Sequence, residues 1–285
     1  MILHTLYDLV EVKIISRPSK ICKTPYVADI QLKDGSIVQA HSASLGCCGL
    51  CEKDCIVLAS PITSNNKNSK SKICSYKIYL VNIYEEKIIN NKKFINNQLI
   101  GIDPKLAETL VFNAINNNCF KNLQNIKKIK AECKIENSRF DFAGIDSNDK
   151  YFILEVKNVP LADYVDCDKK DRKKMDFTNV DPLNKISYFP DGYRTTKNNP
   201  VSTRALKHIN ELSLISHSKN IRSIICFVIQ RTDSKIFQAS NIDPIYKEAF
   251  NNAVSNGVEV FTLVVRWNNN GNAYFDNTDL FINYS

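Results

Sequence analysis

Long apolar runs and glycine-rich loops are both missing from this chain. No uninterrupted hydrophobic stretch reaches the roughly 20 residues that a membrane-spanning helix needs. The N-terminal stretch MILHTLYDLVEVKIISRP carries acidic residues and has the pattern of a strand rather than of a secretory signal. We therefore expect an intracellular protein without a membrane partner. The eight glycines form no G-x-x-x-x-G-K pattern and the four histidines show no nucleophile–base spacing, which argues against a P-loop site and against that kind of nucleophilic catalysis.

The composition is that of a protein with substantial hydrophobic cores. Hydrophobic residues make up 44% and charged residues 24% of the 285 residues, and this length suits one large domain or two. The formal net charge of +8 permits binding to nucleic acid without requiring it.

Ten cysteines in a chain without an export signal are expected to be free thiols or, in part, metal ligands. Four of them lie close together in GCCGLCEKDC, namely Cys47, Cys48, Cys51 and Cys55. Cys48 and Cys51 have zinc-like spacing, but only the distant Cys22 and Cys74 could supply the second pair of a structural zinc site. Small buried thiols are therefore the favoured interpretation, with zinc as the alternative.

The first 95 residues have the pattern of short β-strands. Strand candidates are DLVEVKIISRP, YVADIQLKDGSIVQAHSA (a hairpin that turns at Asp34-Gly35), CIVLAS and YKIYLVNIY. Short strands without a convincing helix favour a small all-β barrel of the OB type over residues 1–95. Arg17 and Lys20, at the end of the first strand candidate, either place this barrel on a nucleic-acid backbone or form an ordinary charged rim.

From residue 96 onward, helix and strand patterns alternate. A helix begins at Asp103-Pro104, and two more are predicted in STRALKHINELSLIS and DPIYKEAFNNAVSNG. The runs IRSIICFVIQ and VEVFTLVVRW are typical of buried, parallel strands. This order predicts an α/β domain over residues 96–285, with a mixed sheet and flanking helices. Trp267 ends the last of these strands and is expected in the core rather than as a base-stacking platform.

The hairpin SRFDFAGIDSNDKYFILEVK, residues 138–157, carries acidic residues among apolar ones. A turn at DSNDK that is symmetrical about Asn148 places Asp141 opposite Glu155. Because side chains alternate across a strand, Lys157 should share a face with Glu155. The same alternation predicts that Arg139 shares a face with Asp141, and that the opposite face carries both Phe140 and Phe142.

Two carboxylates and a lysine on neighbouring strands are the groups that metal-dependent phosphodiester cleavage uses. Asp141 and Glu155 supply the hard oxygen ligands that Mg²⁺ or Mn²⁺ prefers. A bound metal polarises a phosphoryl oxygen and lowers the pKa of a water ligand. Lys157 can orient that water or stabilise charge on the phosphate. The alternative is that Glu155 and Lys157 form a solvated pair on an exposed strand face.

Several segments, in order and over nearly the whole chain, carry a resemblance to a known family: RPSK, VADIQLKDG, AHSASLG, NSRFDF, EVKNVPLAD, YFPD, KHINEL and IDPIYKEAFNNAVSNGVEV. Together they resemble the sugar fermentation stimulation protein (SfsA) family. This resemblance implies an OB-like domain followed by a PD-(D/E)xK nuclease-like domain. It also implies DNA binding and a nuclease-type metal site, which falls on Asp141, Glu155 and Lys157.

The resemblance also points to two weaker candidates. The family usually carries a glutamate in the first helix of the nuclease-like domain; here Glu108 is the candidate, and Thr109 stands at the aligned position. Asp191, in YFPD, either lines the cleft or shapes the turn after the proline.

Basic residues near the patch are candidate nucleic-acid contacts. Under the resemblance, the helix face with Arg204, Lys207 and His208 borders the carboxylates, so phosphate contact is favoured over an ordinary solvated helix side. Arg139, predicted beside Asp141, is a further candidate. The segment KKDRKK, in the charged stretch 163–185, either contacts phosphates or forms a flexible, solvated loop.

Three functions are compatible with these features. The first is a DNA-binding protein that keeps a Mg²⁺-dependent phosphodiesterase site, and the second is a non-catalytic DNA-binding or regulatory protein with the same fold. The third is an RNA-processing factor, because nothing in the sequence distinguishes ribose from deoxyribose. Single- and double-stranded DNA both remain open as partners.

Overall fold

The computed structural model describes residues 1–43, 49–62, 73–135, 138–190, 192, 199–218 and 221–285. In chain order its elements are β1 (Ile2–Thr5), β2 (Val10–Ser16), β3 (Val27–Gln31), β4 (Ile37–Ser42), β5 (Ile56–Pro61), β6 (Tyr76–Ile89), β7 (Lys92–Gly101), α1 (Pro104–Asn116), β8 (Lys128–Ile135), β9 (Ser138–Ile145), β10 (Tyr151–Asn158), β11 (Ala162–Asp163), α2 (Lys169–Arg172), β12 (Lys185–Phe189), α3 (Thr203–Ser218), β13 (Arg222–Ile229), β14 (Ser234–Ala239), α4 (Pro244–Ser255), β15 (Glu259–Trp267), β16 (Asn272–Asn277) and β17 (Phe281–Asn283). Among these described residues, no helix has both the length and the apolar character to cross a membrane.

A seven-stranded mixed sheet organises the C-terminal part, in the order β1-β16-β15-β13-β10-β9-β8. Its centre is parallel, with β13 paired to β10 on one side and to β15 on the other. The strands outside this centre pair antiparallel. The nearly continuous apolar runs of β13 and β15 suit this central position because both faces are covered. The predicted mixed α/β architecture with flanking helices is confirmed.

The two faces of this sheet form separate hydrophobic cores. Leu154 of β10 packs with Leu110 of α1 on one face. The neighbouring Ile153 packs with Ile209 of α3 and Phe250 of α4 on the other face. Each such side chain contributes about 1.5–3 kcal/mol when fully buried. Burial of these cores fixes α1 and α3 on opposite sides of β10.

Helices α1 and α4 begin as the sequence predicts. The Asp103 carboxylate accepts from the Lys105 N–H at 3.1 Å, and the Asp243 carboxylate accepts from the Tyr246 N–H at 3.1 Å. In both helices proline occupies the first turn, where its missing N–H costs no hydrogen bond. Gly257 follows the end of α4 with a φ of +91°, a conformation that favours glycine.

The N-terminal strands form a second sheet in the order β4-β3-β2-β5-β6-β7, with an additional pairing of β4 to β6. The sheet of β2 to β6 therefore closes on itself, around a core that includes Ile14, Ile30 and Ile78. Leu80 and Leu99 of this sheet pack instead with α1 and the seven-stranded sheet. The two sheets thus share part of one hydrophobic core.

Two strands cross the predicted domain boundary at residue 95. β1 pairs with β16 of the seven-stranded sheet, although it belongs to the first 95 residues. β7 pairs with β6 along its whole length and continues to Gly101. The division into domains of residues 1–95 and 96–285 stays a prediction.

The charged segment 163–185 is anchored to the β6–β7 hairpin. The Lys87 ammonium donates to the carbonyl oxygens of Phe177, at 2.6 Å, and Val180, at 3.1 Å. The rings of Tyr164 and Phe177 stack with centroids 5.0 Å apart. Within this segment the lysines of KKDRKK are exposed, which agrees with the solvated alternative, and their contact with phosphate stays a prediction.

Trp267 is buried in the core, as predicted. Its indole N–H donates to the Gln230 side-chain oxygen at 2.9 Å, and Gln230 in turn donates to the Asn158 side-chain oxygen at 2.8 Å. The indole is therefore satisfied inside the protein and does not offer a stacking surface.

Candidate active site

The two acidic strands pair in the predicted register. Backbone partners run from Tyr151–Ile145 to Leu154–Phe142, a register that is symmetrical about Asn148. Asp141 and Glu155 are the next residues beyond the last pair. At that point a side chain of β9, rather than its backbone, bonds to β10, since the Val156 N–H donates to Asp141 Oδ2 at 2.7 Å.

The predicted alternation along β9 is wrong, because Phe140 and Phe142 lie on opposite faces. Phe140 packs with the residues of α3 and Phe142 with those of α1. On the neighbouring strand β8, Ala131 pairs with Phe142 and Cys133 pairs with Phe140. Glu132, which lies between these two β8 residues, has a φ of 55°. Both strands therefore change face beside Asp141. Arg139, expected to share the face of Asp141, forms an exposed ion pair with Glu132.

Glu155 is almost fully buried, and two side chains converge on one of its carboxylate oxygens. The Lys157 ammonium donates to Oε1 at 2.6 Å, and His208 Nδ1 contacts the same atom. Burial alone would raise the pKa of Glu155, but the hydrogen bonds and charges of His208 and Lys157 outweigh it and lower that pKa. The other oxygen, Oε2, is buried and has no hydrogen-bond partner among the described residues.

Asp141 differs from Glu155 in its electrostatics. Burial and the negative charge of Glu155 raise the pKa of Asp141 to about 7, against the opposing hydrogen bond from the Val156 N–H. The charge of Glu108 acts in the same direction as that of Glu155. A buried and a half-buried carboxylate that repel each other in this way favour the binding of a proton or a cation between them.

A cleft of about 260 Å³ opens where β10 ends, between the first turns of α1 and α3. The cleft lining includes Asp141, Glu155 and Lys157, which the sequence predicted to converge. Glu108 of α1 and Arg204 of α3 line the same cleft from opposite sides of β10. The acidic hairpin thus faces a space that a small ligand can enter.

The helix-borne carboxylate of this cleft is Glu108. The hydroxyl of its neighbour Thr109 donates to the Lys105 carbonyl oxygen at 3.3 Å, which turns Thr109 back onto its own helix. The Glu108 carboxylate lines the cleft and pairs with the Lys105 ammonium. Of Glu108 and Thr109, the two positions that the sequence offered, it is therefore Glu108 that lines the cleft with Asp141 and Glu155.

The basic residues of α3 do not share one solvent-facing surface. Arg204 is exposed at the cleft, and Lys207 is exposed with its Nζ 3.7 Å from Glu211 Oε1. His208 is buried against Glu155, so it forms neither the expected phosphate contact nor part of a solvated helix side. Sequence reasoning missed this contact; the available signal was the spacing of His208 on the helix, three residues after Ala205 and four before Leu212, both of which are core residues.

The N-terminal candidates lie outside the cleft lining. Arg17 Nε donates to the Pro25 carbonyl oxygen at 2.9 Å, and the Lys20 side chain is exposed. Asp191 lies outside the described residues, as do Cys47 and Cys48. Among the described residues, neither Cys51 nor Cys55 forms a disulfide. Within the described ranges, no group of three or more His, Cys, Asp and Glu side chains is arranged to hold a metal ion.

Fold and cleft together define a mixed α/β protein with an acidic, lysine-bearing cleft at the end of a central strand. A family model described as "Sugar fermentation stimulation protein RE domain" matches residues 105–271. The chain therefore belongs to the sugar fermentation stimulation protein (SfsA) family, as its sequence motifs predicted.

Known relatives are similar over most of their length. The homolog from Geotalea daltonii is 30% identical over 237 residues, covering 82% of this chain and 83% of that protein. The homolog from Pseudoalteromonas translucida is 27% identical over 237 residues, covering 82% of this chain and 84% of that protein. The solved structure of Pyrococcus furiosus SfsA in complex with Ca²⁺ matches with a TM-score of 0.73 at 17% identity, over 99% of both chains. This match shows a shared fold.

Proposed function

We propose that this protein binds DNA and that its cleft is a Mg²⁺- or Mn²⁺-dependent phosphodiesterase site on a PD-(D/E)xK nuclease-like fold. The observation that carries the proposal is the convergence of Asp141, Glu155 and Lys157 in one open cleft. A solvated Glu–Lys pair would not need burial, whereas the Glu155 side chain is only 3% and the Lys157 side chain 12% exposed. Burying charges is costly, so their retention here favours a chemical role.

The donors present fit a divalent cation. Glu155 Oε2 is a buried acceptor without a partner among the described residues, and Asp141 lies where negative charge is already in excess. Mg²⁺ is commonly bound through one or two carboxylates, with water and substrate phosphate oxygens completing its shell. Ca²⁺, present in the solved Pyrococcus furiosus protein, also takes oxygen ligands. When bound, such a cation polarises the phosphoryl oxygen and activates water.

The remaining cleft residues divide between orienting groups and phosphate contacts. Lys157 carries its positive charge beside the ligand carboxylate, where it can orient water or stabilise charge on the phosphate. Arg204, exposed at the cleft, can bind a phosphate oxygen through its guanidinium fork. Lys207 adds charge on the exposed side of α3. Glu108 is a candidate further ligand from α1.

The N-terminal sheet supplies a second nucleic-acid surface in this proposal. The closed pairing of β2 to β6 supports a barrel of the OB type, a fold that commonly binds nucleic acid. Arg17 and Lys20 would add backbone contacts there, and Arg139 would do so beside the acidic hairpin. DNA is the proposed partner, and RNA is included in the test below.

A second candidate function is DNA binding without turnover. One observation favours it: in the part of the chain that the structure describes, three potential ligand side chains do not converge as a metal site. Lys157 also holds Glu155 Oε1, so the carboxylate is already neutralised in part. A regulatory protein could keep this arrangement for stability alone.

A cleavage and binding assay separates the two functions. The full chain is incubated with labelled single-stranded DNA, double-stranded DNA and RNA, each with Mg²⁺, Mn²⁺ or EDTA. Glu155→Ala and Lys157→Ala are compared with Glu86→Ala and Lys93→Ala, a matched but exposed pair whose Lys93 Nζ and Glu86 Oε1 lie 2.9 Å apart. Metal-dependent cleavage lost only in the cleft variants supports the phosphodiesterase. Binding with no cleavage in any metal supports the second candidate.

A further inference from the structure

His208 shares a carboxylate oxygen with the lysine of the cleft. Its Nδ1 contacts Glu155 Oε1, the atom to which Lys157 Nζ donates at 2.6 Å. An ionised carboxylate only accepts hydrogen bonds, so Nδ1 carries a proton and donates. Lys157 Nζ lies 3.5 Å from the same ring nitrogen. Lys157 and His208 therefore both donate to Glu155 Oε1, whereas Glu155 Oε2 has no partner among the described residues.

The imidazole is held in a fixed position by the core around it. His208 is 6% exposed, and its ring lies 6.4 Å from that of Phe140. On α3, Ala205, Ile209 and Leu212 are buried in the core between the helix and the sheet. A helix locked in this way gives the ring little freedom to move. Lys157, by contrast, carries its ammonium on a flexible four-carbon chain.

We propose that His208 is a positioning residue that keeps Glu155 in its metal-binding orientation while Lys157 is engaged with water or phosphate. The proposal rests on the proposed function, because it names how one ligand of that site is held. The Lys157 ammonium sits on a flexible chain, so its hydrogen bond to Glu155 Oε1 can weaken or break when its N–H donors turn to water or phosphate. With His208 in place, Oε1 keeps a donor after Lys157 moves, and the carboxylate keeps the orientation that leaves Oε2 without a protein partner among the described residues.

The test measures metal binding by calorimetric titration of Mn²⁺ into the full chain, with no need for turnover. Glu155→Ala identifies the cleft site in the wild-type titration. His208→Ala removes the donor, whereas His208→Asn keeps an N–H donor near the position of Nδ1. His217→Ala is the matched control, since His217 is an exposed histidine on the same helix. Melting temperatures of all variants are recorded in parallel.

We expect His208→Ala to weaken Mn²⁺ binding by about 10- to 100-fold, the usual effect of removing a partner of a metal ligand. His208→Asn should recover most of that affinity, and His217→Ala should not change it. Equal losses in His208→Ala and His208→Asn that track their melting temperatures would show a purely structural histidine and overturn the proposal. So would unchanged affinity in His208→Ala.

The comparison of wild type with Glu155→Ala tests the proposed metal site separately from the role of His208. If the wild type and Glu155→Ala give the same Mn²⁺ titration, the cleft holds no metal, and the role of His208 falls with it. If the wild type binds Mn²⁺ through Glu155 and only the His208 variants behave contrary to expectation, the metal site stands and the positioning role alone is rejected.

Discussion

The Asp141 carboxylate accepts a hydrogen bond from the backbone N–H of Val156 at 2.7 Å, which ties it beside Glu155, the residue that precedes Val156. Because the bond is made to the backbone of a central strand, Asp141 cannot easily move away from the neighbouring charge. Their repulsion appears in the pKa of Asp141, which burial and Glu155 raise to about 7. A divalent cation bound between the two carboxylates would relieve the same repulsion.

Asp141→Asn should abolish the rise in melting temperature that added Mn²⁺ gives the wild type. The asparagine side-chain oxygen can still accept from the Val156 N–H, while one of the two repelling charges is removed. At about pH 8 in EDTA we expect the variant to melt at the same temperature as the wild type or higher. Added Mn²⁺ should raise the melting temperature of the wild type, because a ligand that binds only the folded state stabilises it. A similar rise in Asp141→Asn would count against Asp141 as a ligand.

Arg204→Ala should reduce the salt dependence of DNA binding. Each phosphate contact adds about one unit to the slope of log affinity against log salt concentration. We expect the slope to become shallower by about one unit in Arg204→Ala, and likewise in Lys207→Ala if that residue also contacts phosphate. Lys121→Ala, an exposed lysine that pairs with Asp279, is the control. An unchanged slope would remove the substituted residue from the interface.

Asp233→Asn should destabilise the fold in a pH-dependent way. Arg231 and Asp233 form a buried bidentate pair, with Nε–Oδ1 at 2.6 Å and Nη2–Oδ2 at 2.7 Å. Burial alone would raise the pKa of Asp233, but Arg231 outweighs it, with help from Asn96 and Lys185, and lowers that pKa to about 2. Leaving the buried Arg231 guanidinium without its carboxylate partner should cost about 3–5 kcal/mol in the free energy of unfolding near neutral pH.

The pH dependence follows from the direction of this shift. Because the folded pKa of Asp233 lies below its ordinary value of 3.8, its contribution is complete above that value and is lost as the pH falls towards about 2. Urea unfolding at a series of pH values should therefore show the gap between wild type and Asp233→Asn narrowing below about pH 4. A gap that stays constant down to about pH 2 would contradict the assignment.

Lys87→Ala should release the charged segment 163–185 from the β6–β7 hairpin. The substitution removes the donor to the carbonyl oxygens of Phe177 and Val180 and leaves them without that partner. We expect faster trypsin cleavage within residues 169–174, measured by mass spectrometry of the fragments. Lys93→Ala, on the same hairpin but exposed and paired with Glu86, should leave the cleavage rate unchanged. Equal rates in all three proteins would show that other contacts anchor the segment.

Features set by residues close together in the sequence, such as hairpin register and helix capping, were predicted from the sequence. The turn formers at residues 146–150 fix a register that brings Asp141 opposite Glu155, and the capping of α1 by Asp103 follows from a single side chain. Alternation failed between Phe142 and Phe140, where Glu132 on the facing strand adopts a positive φ that nothing in its sequence surroundings requires. A period-2 pattern assumes an unbroken strand.

The parts that sequence did not predict depend on contacts between distant segments. Glu155 and His208 are 53 residues apart, so their contact depends on where α3 docks on the sheet. The helical pattern placed His208 on a polar face, and only packing shows that this face is turned partly inward. The pairing of β1 with β16 likewise joins strands from opposite ends of the chain.

The proposed function requires that Asp141 and Glu155 share one divalent cation in the cleft. Anomalous scattering from crystals of the full chain grown with Mn²⁺ would locate such a cation. We expect one strong anomalous peak within ligand distance of Asp141 and Glu155 Oε2, absent from crystals of Glu155→Ala grown in the same way. Mn²⁺ peaks elsewhere with none in this cleft would contradict it.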